Sequence, residues 1–431
     1  MKKHKHITLK RELGLIETTM CGVGIILGAG IYALVGKAAG IAGNAVWISF
    51  LLGAIVAALT GLSYAELSSM FPKASAEYEY IRKSFGKRIA FIIGWLIIFS
   101  GAIAGATVAL GFAGYFNSLF SIPIIPMAII LIILLSFIIF YGIKQSAGVA
   151  IILTIIEALG LFIIIYIGLP FLGKINYFDT PKIDGIFSAS ALIFFAFIGF
   201  EEIVKLSEET KNPKRTIPRA LILSIIITTI IYIFVSVSAV SVLGWQRLSK
   251  SSAPLADVAS VAFGSNAFMI ISIAALFSTT NTVLLVLLAS TRITYGMAKS
   301  CSLPKKLSLI HKKRRTPWTA IILIALISIL FIFTDIEIAA SVTDFTIFVT
   351  FIIINASVII LRYKEPKTRR IFKVPIHIGK MPILPIFGSI FSFLLLVSLK
   401  FDAILYGLVL LFTGFIVYEL MLLKKENNAK V

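Results

Sequence analysis

The hydrophobic residues of this 431-residue chain form long blocks, separated by short polar stretches rich in Lys and Arg. Apolar runs of about 20 residues without clustered charge are typical of membrane-spanning helices. The pattern predicts twelve spans, near residues 14–36, 44–65, 89–116, 124–141, 147–170, 186–204, 217–243, 260–290, 317–333, 338–361, 382–399 and 403–423. What remains makes only loops and tails, so residues 1–431 are predicted to form a single membrane domain.

Composition and charge agree with this interpretation. The chain is 59% hydrophobic and 14% charged, which excludes an ordinary soluble globule. Its net charge of +20 would suggest a nucleic-acid partner in a soluble protein. Here, 34 of the 40 Lys and Arg lie in the two tails and in alternate loops, as the positive-inside rule requires. The basicity therefore reflects topology, no nucleic acid is expected, and both termini are predicted to be cytoplasmic.

Two spans carry features that favour a broken helix. Gly28-Ala29-Gly30 lies in the middle of the first span, although small residues also serve close helix packing. In the sixth span, Gly199 is followed by Glu201 and Glu202, and carboxylates at that depth are costly unless they face a cavity or a partner. These spans are five apart, so two five-helix repeats, about 14–170 and 186–361, would have opposite topology, as in secondary transporters. Helices 11 and 12, about 382–423, lie outside the repeats.

The chemistry of a broken helix indicates the kind of ligand. Each break exposes unpaired N–H groups at one half-helix end and unpaired C=O groups at the other. Ends of opposite polarity that meet at the bilayer midplane suit a zwitterion, with its carboxylate on the amides and its ammonium on the carbonyls. The expected partners are therefore the lipid bilayer and a small amino acid, while the sequence carries no signal for an oligomeric state.

At these residues the sequence resembles the amino acid–polyamine–organocation superfamily of permeases. The resemblance rests on short segments that occur in the family's order from residue 14 to 375. They are Gly28-Ala29-Gly30-Ile31, Tyr64-Ala65-Glu66-Leu67, Phe71-Pro72, Tyr78 and Tyr80, Phe195 to Glu201, Glu208 to Pro213, Ile217 to Ala220, Arg292 to Ala298, Leu303-Pro304, Arg362-Tyr363-Lys364 and Phe372 to Pro375.

The resemblance implies an all-α, leucine-transporter-type 5+5 inverted repeat with broken helices 1 and 6, plus two C-terminal helices. It also implies a site built mainly from backbone. The substrate carboxylate would meet Gly28, Ala29 and Gly30. The ammonium would meet the carbonyls of Ile26, Phe195, Ala196 and Ile198. Phe195, Phe197 and Phe200 would be gate or wall aromatics. The residues expected to bind the substrate are Ile26, Gly28, Ala29, Gly30, Phe195, Ala196, Phe197, Ile198 and Gly199.

The sequence departs from the family pattern at three sites. Ala29 replaces a hydroxyl residue, and Ser75-Ala76 replaces a Gly-Gly pair. Glu157 stands where many prokaryotic members carry a lysine that is thought to take the place of a sodium ion. A carboxyl buried in hydrocarbon favours its protonated form, so Glu157 is expected to carry a coupling proton. A sodium site formed by Glu157 with Ser278 and Thr279, or a purely structural carboxyl, is the alternative.

The sequence says less about the other acidic residues in the predicted spans, Glu201, Glu202 and Asp344. Glu201 lies where the family's exchangers often have an acid below the substrate, so it is a candidate pH sensor or inner gate. Glu202 is expected to pair with Lys205, three residues further on. Asp344, near the outer end of the tenth span, is a candidate to attract a cationic side chain or to pair across an outer gate, but a solvated helix-end aspartate is the favoured interpretation.

The resulting hypothesis is a secondary-active amino acid permease of the cytoplasmic membrane, working by alternating access as a proton symporter or exchanger. A polyamine or amine permease of the same fold is the alternative for the cargo, and a membrane sensor without transport is a further one. The chain is not expected to be an enzyme or to bind a cofactor. A proton gradient is expected to drive transport. The four histidines lack metal-ligand spacing, so no metal is expected apart from the sodium alternative.

Overall fold

The computed structural model describes residues 9–251, 254–334, 336–397, 399 and 401–429, and it is built mainly from helices. Helices satisfy their own backbone N–H and C=O groups, as a hydrocarbon environment requires. The α-helices are α1 Leu15–Ala42, α2 Val46–Met70, α3 Ala76–Ser84, α4 Lys87–Phe120, α5 Ile124–Tyr141, α6 Ile143–Gly168, α7 Ile183–Phe194, α8 Pro213–Lys250, α9 Pro254–Phe263, α10 Ser265–Lys299, α11 Trp318–Phe331, α12 Ile336–Lys364, α13 Ile383–Val397 and α14 Phe401–Ala429. Short 3₁₀ turns lie at Gly43–Ala45, Leu169–Phe171, Phe195–Phe197, Phe200–Leu206 and Lys305–Ser308.

Many of these helices are long enough to cross a membrane. Within the described ranges, nine segments are at least 18 residues long and apolar enough to cross a bilayer. Helices α7, α11 and α13 are also apolar but shorter, with 12, 14 and 15 residues. The protein is therefore a mostly helical, multi-pass membrane protein, and the count of twelve spans stays a prediction.

Two small elements were not predicted from hydropathy. Helix α3 is amphipathic and lies in the stretch 71–88 that the apolar pattern assigns to a loop. Strands β1 His377–Ile378 and β2 Met381–Pro382 form a hairpin in which Ile378 faces Met381. Both elements are too short or too polar to appear in a search for apolar blocks.

A buried ion cluster joins three of the segments that carry the family resemblance. The carboxylate of Glu66 on α2 accepts hydrogen bonds from Arg362 at 2.6 and 3.1 Å, from Arg370 at 3.1 Å and from the backbone N–H of Val374 at 2.8 Å. Buried charges are stable only when they are paired and hydrogen-bonded, and here a single carboxylate has four donors. The cluster fixes the end of α12 and the following loop against α2.

The segment before α1 is tied to the segment after the sixth span. Backbone bonds join Glu12 N–H to the Glu209 carbonyl at 2.9 Å and Lys211 N–H to the Leu13 carbonyl at 2.7 Å. The side chain of Glu209 in turn accepts two 2.8 Å bonds from the buried Arg292 of α10. The first and sixth spans are thus held together at one end, which brings their middle sections into register.

Candidate functional site

Helix α1 is interrupted at the predicted position. Gly28 leaves helical geometry, with φ 0° and ψ −167°, while helical structure continues on both sides of it. Such an interruption removes the intrahelical partners of nearby N–H and C=O groups. The middle of α1 therefore presents backbone polar groups inside the membrane domain.

The sixth span is also interrupted where the sequence predicts it. Helix α7 ends at Phe194, a 3₁₀ turn covers Phe195–Phe197, and Gly199 has φ +121°. This backbone conformation is open to glycine and rarely adopted by other residues. The chain then continues as the 3₁₀ segment Phe200–Leu206 rather than as an α-helix.

The two interruptions face each other. A Cβ placed on Gly30 would lie 2.7 Å from the Cα of Ala196, and one on Gly199 would lie 3.2 Å from the carbonyl oxygen of Ile25. Between them lies a cavity of about 70 Å³, roughly the room of several water molecules. It is lined by Ile25, Ile26, Gly28, Gly30, Ser100, Gly101, Ala104, Val108, Ala196, Ile198, Gly199, Glu201, Glu202, Thr282, Val286, Thr343 and Ile347.

Tyr232 of α8 links the two broken segments, and sequence reasoning missed it. Its buried hydroxyl donates to the carbonyl of Ile26, and it lies 3.0 Å from the carbonyl of Ala196. These are two of the carbonyls predicted to meet the substrate ammonium. A tyrosine in an apolar run gives no sequence signal for this role.

Three hydroxyl residues from other spans reach the cavity and were also missed. Ser100 on α4, Thr282 on α10 and Thr343 on α12 line it. Thr282 is the nearest to the first break, since its Oγ1 would lie 2.5 Å from a Cβ on Gly28. A hydroxyl from α10 thus lies beside the segment in which Ala29 replaces the family's hydroxyl residue.

The predicted aromatics occupy different surroundings. Phe197 packs edge-on against Tyr232 with ring centroids 5.3 Å apart. Phe200 packs between Tyr64 and Phe351, at 6.0 and 5.3 Å, away from the cavity lining. The side chains of Ala29 and Phe195 lie outside the described residues. Phe197 thus contacts Tyr232, which bridges the two breaks, but neither Phe197 nor Phe200 is among the residues that line the cavity.

Glu157 is fully buried where α6 meets α10. Its Oε1 accepts a hydrogen bond from Ser278, while its Oε2 has no hydrogen-bond partner among the described residues. Its own backbone carbonyl accepts a bond from Tyr32 of α1 at 3.1 Å. Thr279 bonds instead to carbonyls of its own helix, so only one of the two proposed hydroxyl partners reaches the carboxyl.

Two further carboxylates, those of Glu201 and Glu202, line the cavity. Glu202 accepts a 2.6 Å bond from Lys205, as the sequence predicts. Lys205 also lies 3.7 Å from Glu77 on α3. Glu201 accepts a 2.9 Å bond from the N–H of Gly199, so its carboxylate holds the second break in shape.

The interpretation of Asp344 as a solvated helix-end residue is wrong. It is the ninth residue of α12 and only half-buried overall, but its Oδ1 is enclosed and has no hydrogen-bond partner in the part of the chain described. The helix begins at Ile336, so Asp344 lies more than two turns inside it. Hydropathy cannot report that packing.

Known proteins match the chain over nearly its whole length. The sequence model of a family described as amino acid permease matches residues 13–415. The branched-chain amino acid permease BcaP of Bacillus subtilis is 31% identical, over 96% of this chain and 93% of its own. A methylthioribose transporter of the same organism is 29% identical, over 89% and 87%. The vacuolar cationic amino acid transporter 4 of Arabidopsis thaliana is 30% identical, over 83% and 64%.

These matches and the two broken helices around one cavity define a membrane transporter, not an enzyme. More narrowly, the chain belongs to the amino acid permease family, and relatives named as amino acid permeases and transporters support amino acid transport.

The close contact at Gly30 predicts that adding one methyl group there severely lowers transport. The added Cβ of Gly30→Ala would press on the backbone of Ala196 at 2.7 Å, so the two segments must move apart. Misplacing a binding group by about 1 Å costs roughly a hundredfold in rate. Amino acid uptake into proteoliposomes should fall by about that factor.

Gly111→Ala is the matched control, since no atom lies within 4 Å of its Cβ position. It should keep normal uptake, and size-exclusion chromatography should show both variants folded. Wild-type uptake by Gly30→Ala would contradict the close contact of the two breaks.

The burial of Glu77 predicts how the stability of the protein depends on pH. Burial raises its pKa from 4.5 to about 7, against the opposing effect of Lys205. The folded protein therefore keeps this proton longer than the unfolded chain, and stability falls as the pH rises from 4.5 to 7. Glu77→Gln should remove this loss, about 3 kcal/mol at most.

The measurement is the apparent unfolding temperature in detergent across this pH range. The difference between wild type and Glu77→Gln should grow with pH and level off above 7. Glu419→Gln, which removes an exposed carboxylate paired with Arg88, should stay parallel to wild type. A constant difference between Glu77→Gln and wild type would show that Glu77 does not titrate there.

Proposed function

We propose that the protein is a secondary-active permease that moves an amino acid across the cytoplasmic membrane by alternating access. In this proposal the single domain has twelve spans, arranged as a 5+5 inverted repeat with two further helices, and both termini are cytoplasmic. The observation that carries it is the pair of interruptions, at Gly28 and at 195–199, that open on one cavity. Irregular backbone at membrane depth is tolerated only beside a cavity or inside protein.

The backbone of the cavity supports a zwitterionic cargo. The N–H groups beyond the break in α1 suit a carboxylate. The carbonyls of Ile26, Phe195, Ala196 and Ile198 suit an ammonium. The hydroxyl of Tyr232 already contacts two of these carbonyls, and a carbonyl oxygen has two lone pairs, so it can hold the hydroxyl and the ammonium together.

The side-chain lining supports an apolar amino acid. Ile25, Ile26, Val108, Val286 and Ile347 line the cavity, and these aliphatic surfaces gain free energy by covering an aliphatic substrate. The relative named as a branched-chain amino acid permease agrees with this proposal. We therefore propose leucine, isoleucine or valine as the substrate class.

A cationic amino acid is the second candidate, because two carboxylates also line the cavity. Glu202 is neutralised by Lys205 at 2.6 Å, and Glu201 is bonded to the N–H of Gly199. Both charges are thus already engaged, which favours the apolar candidate. A panel of labelled leucine and lysine in the same proteoliposomes separates the two.

Competition by substrate fragments tests the zwitterion proposal. Removing the carboxylate of leucine leaves 3-methylbutylamine, and removing its ammonium leaves 4-methylpentanoate. Each loses charge-assisted hydrogen bonds, so each should compete with labelled leucine roughly ten- to a hundredfold more weakly than leucine itself. Full competition by the amine would favour an amine permease, and full competition by methylthioribose would favour a sugar-like cargo.

We propose that Glu157 carries the coupling proton. It is buried, its Oε1 accepts from Ser278, and its Oε2 is left without a partner in the described structure. A neutral carboxyl has one acidic O–H to supply, whereas an ionised one at this depth would be a costly unpaired charge. Its contact with α10 and, through Tyr32, with α1 would let a change of protonation act on the broken helix.

Glu157→Gln should abolish leucine accumulation driven by a pH gradient and preserve exchange of leucine for leucine. The amide cannot release a proton but keeps the shape of the side chain. The exposed Glu419→Gln is the control and should accumulate leucine normally. Wild-type accumulation by Glu157→Gln would contradict the role, and accumulation driven by sodium alone would favour the sodium alternative.

A further inference from the structure

The loop between α10 and α11 carries a concentrated and uncompensated positive charge. Lys312, Lys313 and Arg314 are consecutive, and the chain has no acidic residue between Asp257 and Asp335. All three basic side chains are exposed. None of them forms an ion pair with any described residue.

Hydrogen bonds hold the loop between α10 and α11 in a defined turn. His311 N–H donates to the Thr316 carbonyl at 2.9 Å, and Arg315 N–H donates to the His311 carbonyl at 2.8 Å. The buried Thr316 hydroxyl donates to the carbonyl of Phe140 at 2.9 Å. The turn is thereby attached to the end of α5, and the basic side chains project from this ordered turn.

A groove of about 920 Å³ opens at this turn. Basic and aromatic residues share its walls, which is the pairing typical of the membrane–water interface. The guanidinium of Arg314 stacks over the ring of Tyr141, 4.4 Å from its centre. The lining residues are Phe140, Ile310, His311, Lys312, Lys313, Arg314 and Trp318.

The groove continues into two exposed apolar stripes. On α11, Ile322, Leu326 and Leu330 follow Trp318 at intervals of four residues, and all are at least 50% exposed. On α5, Ile130, Leu134 and Phe137 are 54%, 52% and 61% exposed and precede Tyr141 at intervals of three or four residues. Helices α5 and α11 pack against each other, and both stripes start at the helix ends that carry the basic turn.

We propose that this groove binds an anionic phospholipid, with its phosphodiester headgroup on Lys312, Lys313 and Arg314 and its acyl chains along the stripes of α5 and α11. Basic pockets between spans on the cytoplasmic side suit anionic headgroups. A free phosphate would use the charges but not the stripes, and a second copy of the chain would bring its own net positive charge against them. The proposal rests on the membrane orientation given above and not on the transported cargo.

Native mass spectrometry of the purified full-length protein tests the proposal, with phosphatidylglycerol and phosphatidylcholine as probes. The triple variant Lys312→Gln, Lys313→Gln, Arg314→Gln should bind phosphatidylglycerol at least about tenfold more weakly than wild type. The matched control Lys367→Gln, Arg369→Gln, Lys373→Gln removes the same charge from another exposed loop and should bind as wild type does. Phosphatidylcholine should bind weakly to all three proteins.

Three results would overturn the proposal. One is equal retention of phosphatidylglycerol by both triple variants. Another is full displacement of the lipid by millimolar inorganic phosphate, which would mean a phosphate site. The third is a dimer in wild type that only the Lys312 to Arg314 variant loses, which would mean that a second copy covers the groove. Because the readout is binding, a failed transport assay leaves this test unaffected.

Discussion

The structure depends on one constraint, that every backbone N–H and C=O inside hydrocarbon needs a partner. Continuous helices meet it by themselves. The interruptions at Gly28 and around Gly199 do not, and both occur where the two segments face one cavity. Neighbouring groups satisfy part of the exposed backbone, since Tyr232 bonds to two carbonyls and Glu201 bonds to one N–H. What remains is suited to a ligand that carries both charges.

The buried charges away from the cavity hold this arrangement in place. Glu66 with its arginines fixes α12 on α2, and Glu209 with Arg292 fixes the end of the sixth span on α10. A buried pair is costly to break because it leaves a lone charge. These pairs therefore fix the ends of the segments that flank the two breaks.

The main features of the fold could be predicted from the sequence, because apolar runs and glycines act locally. The positions of the two breaks follow from Gly28 and Gly199, and the Glu202–Lys205 pair follows from a spacing of three residues. Features that depend on distant packing were missed or wrong. Tyr232 looks like any aromatic in an apolar run, Thr282 reaches the break from α10, and the enclosure of the Asp344 Oδ1 depends on how the helices pack. The roles assigned to the predicted site residues stay predictions.

The most direct test of the account is an experimental structure of the protein with leucine bound. If the two broken helices form the site, leucine should lie in the cavity, with its carboxylate within hydrogen-bond distance of the N–H groups of residues 28–30 and its ammonium on carbonyls of Ile26, Ala196 or Ile198. Leucine bound elsewhere, or held in the cavity by side chains alone, would contradict the claim that two broken helices form the site.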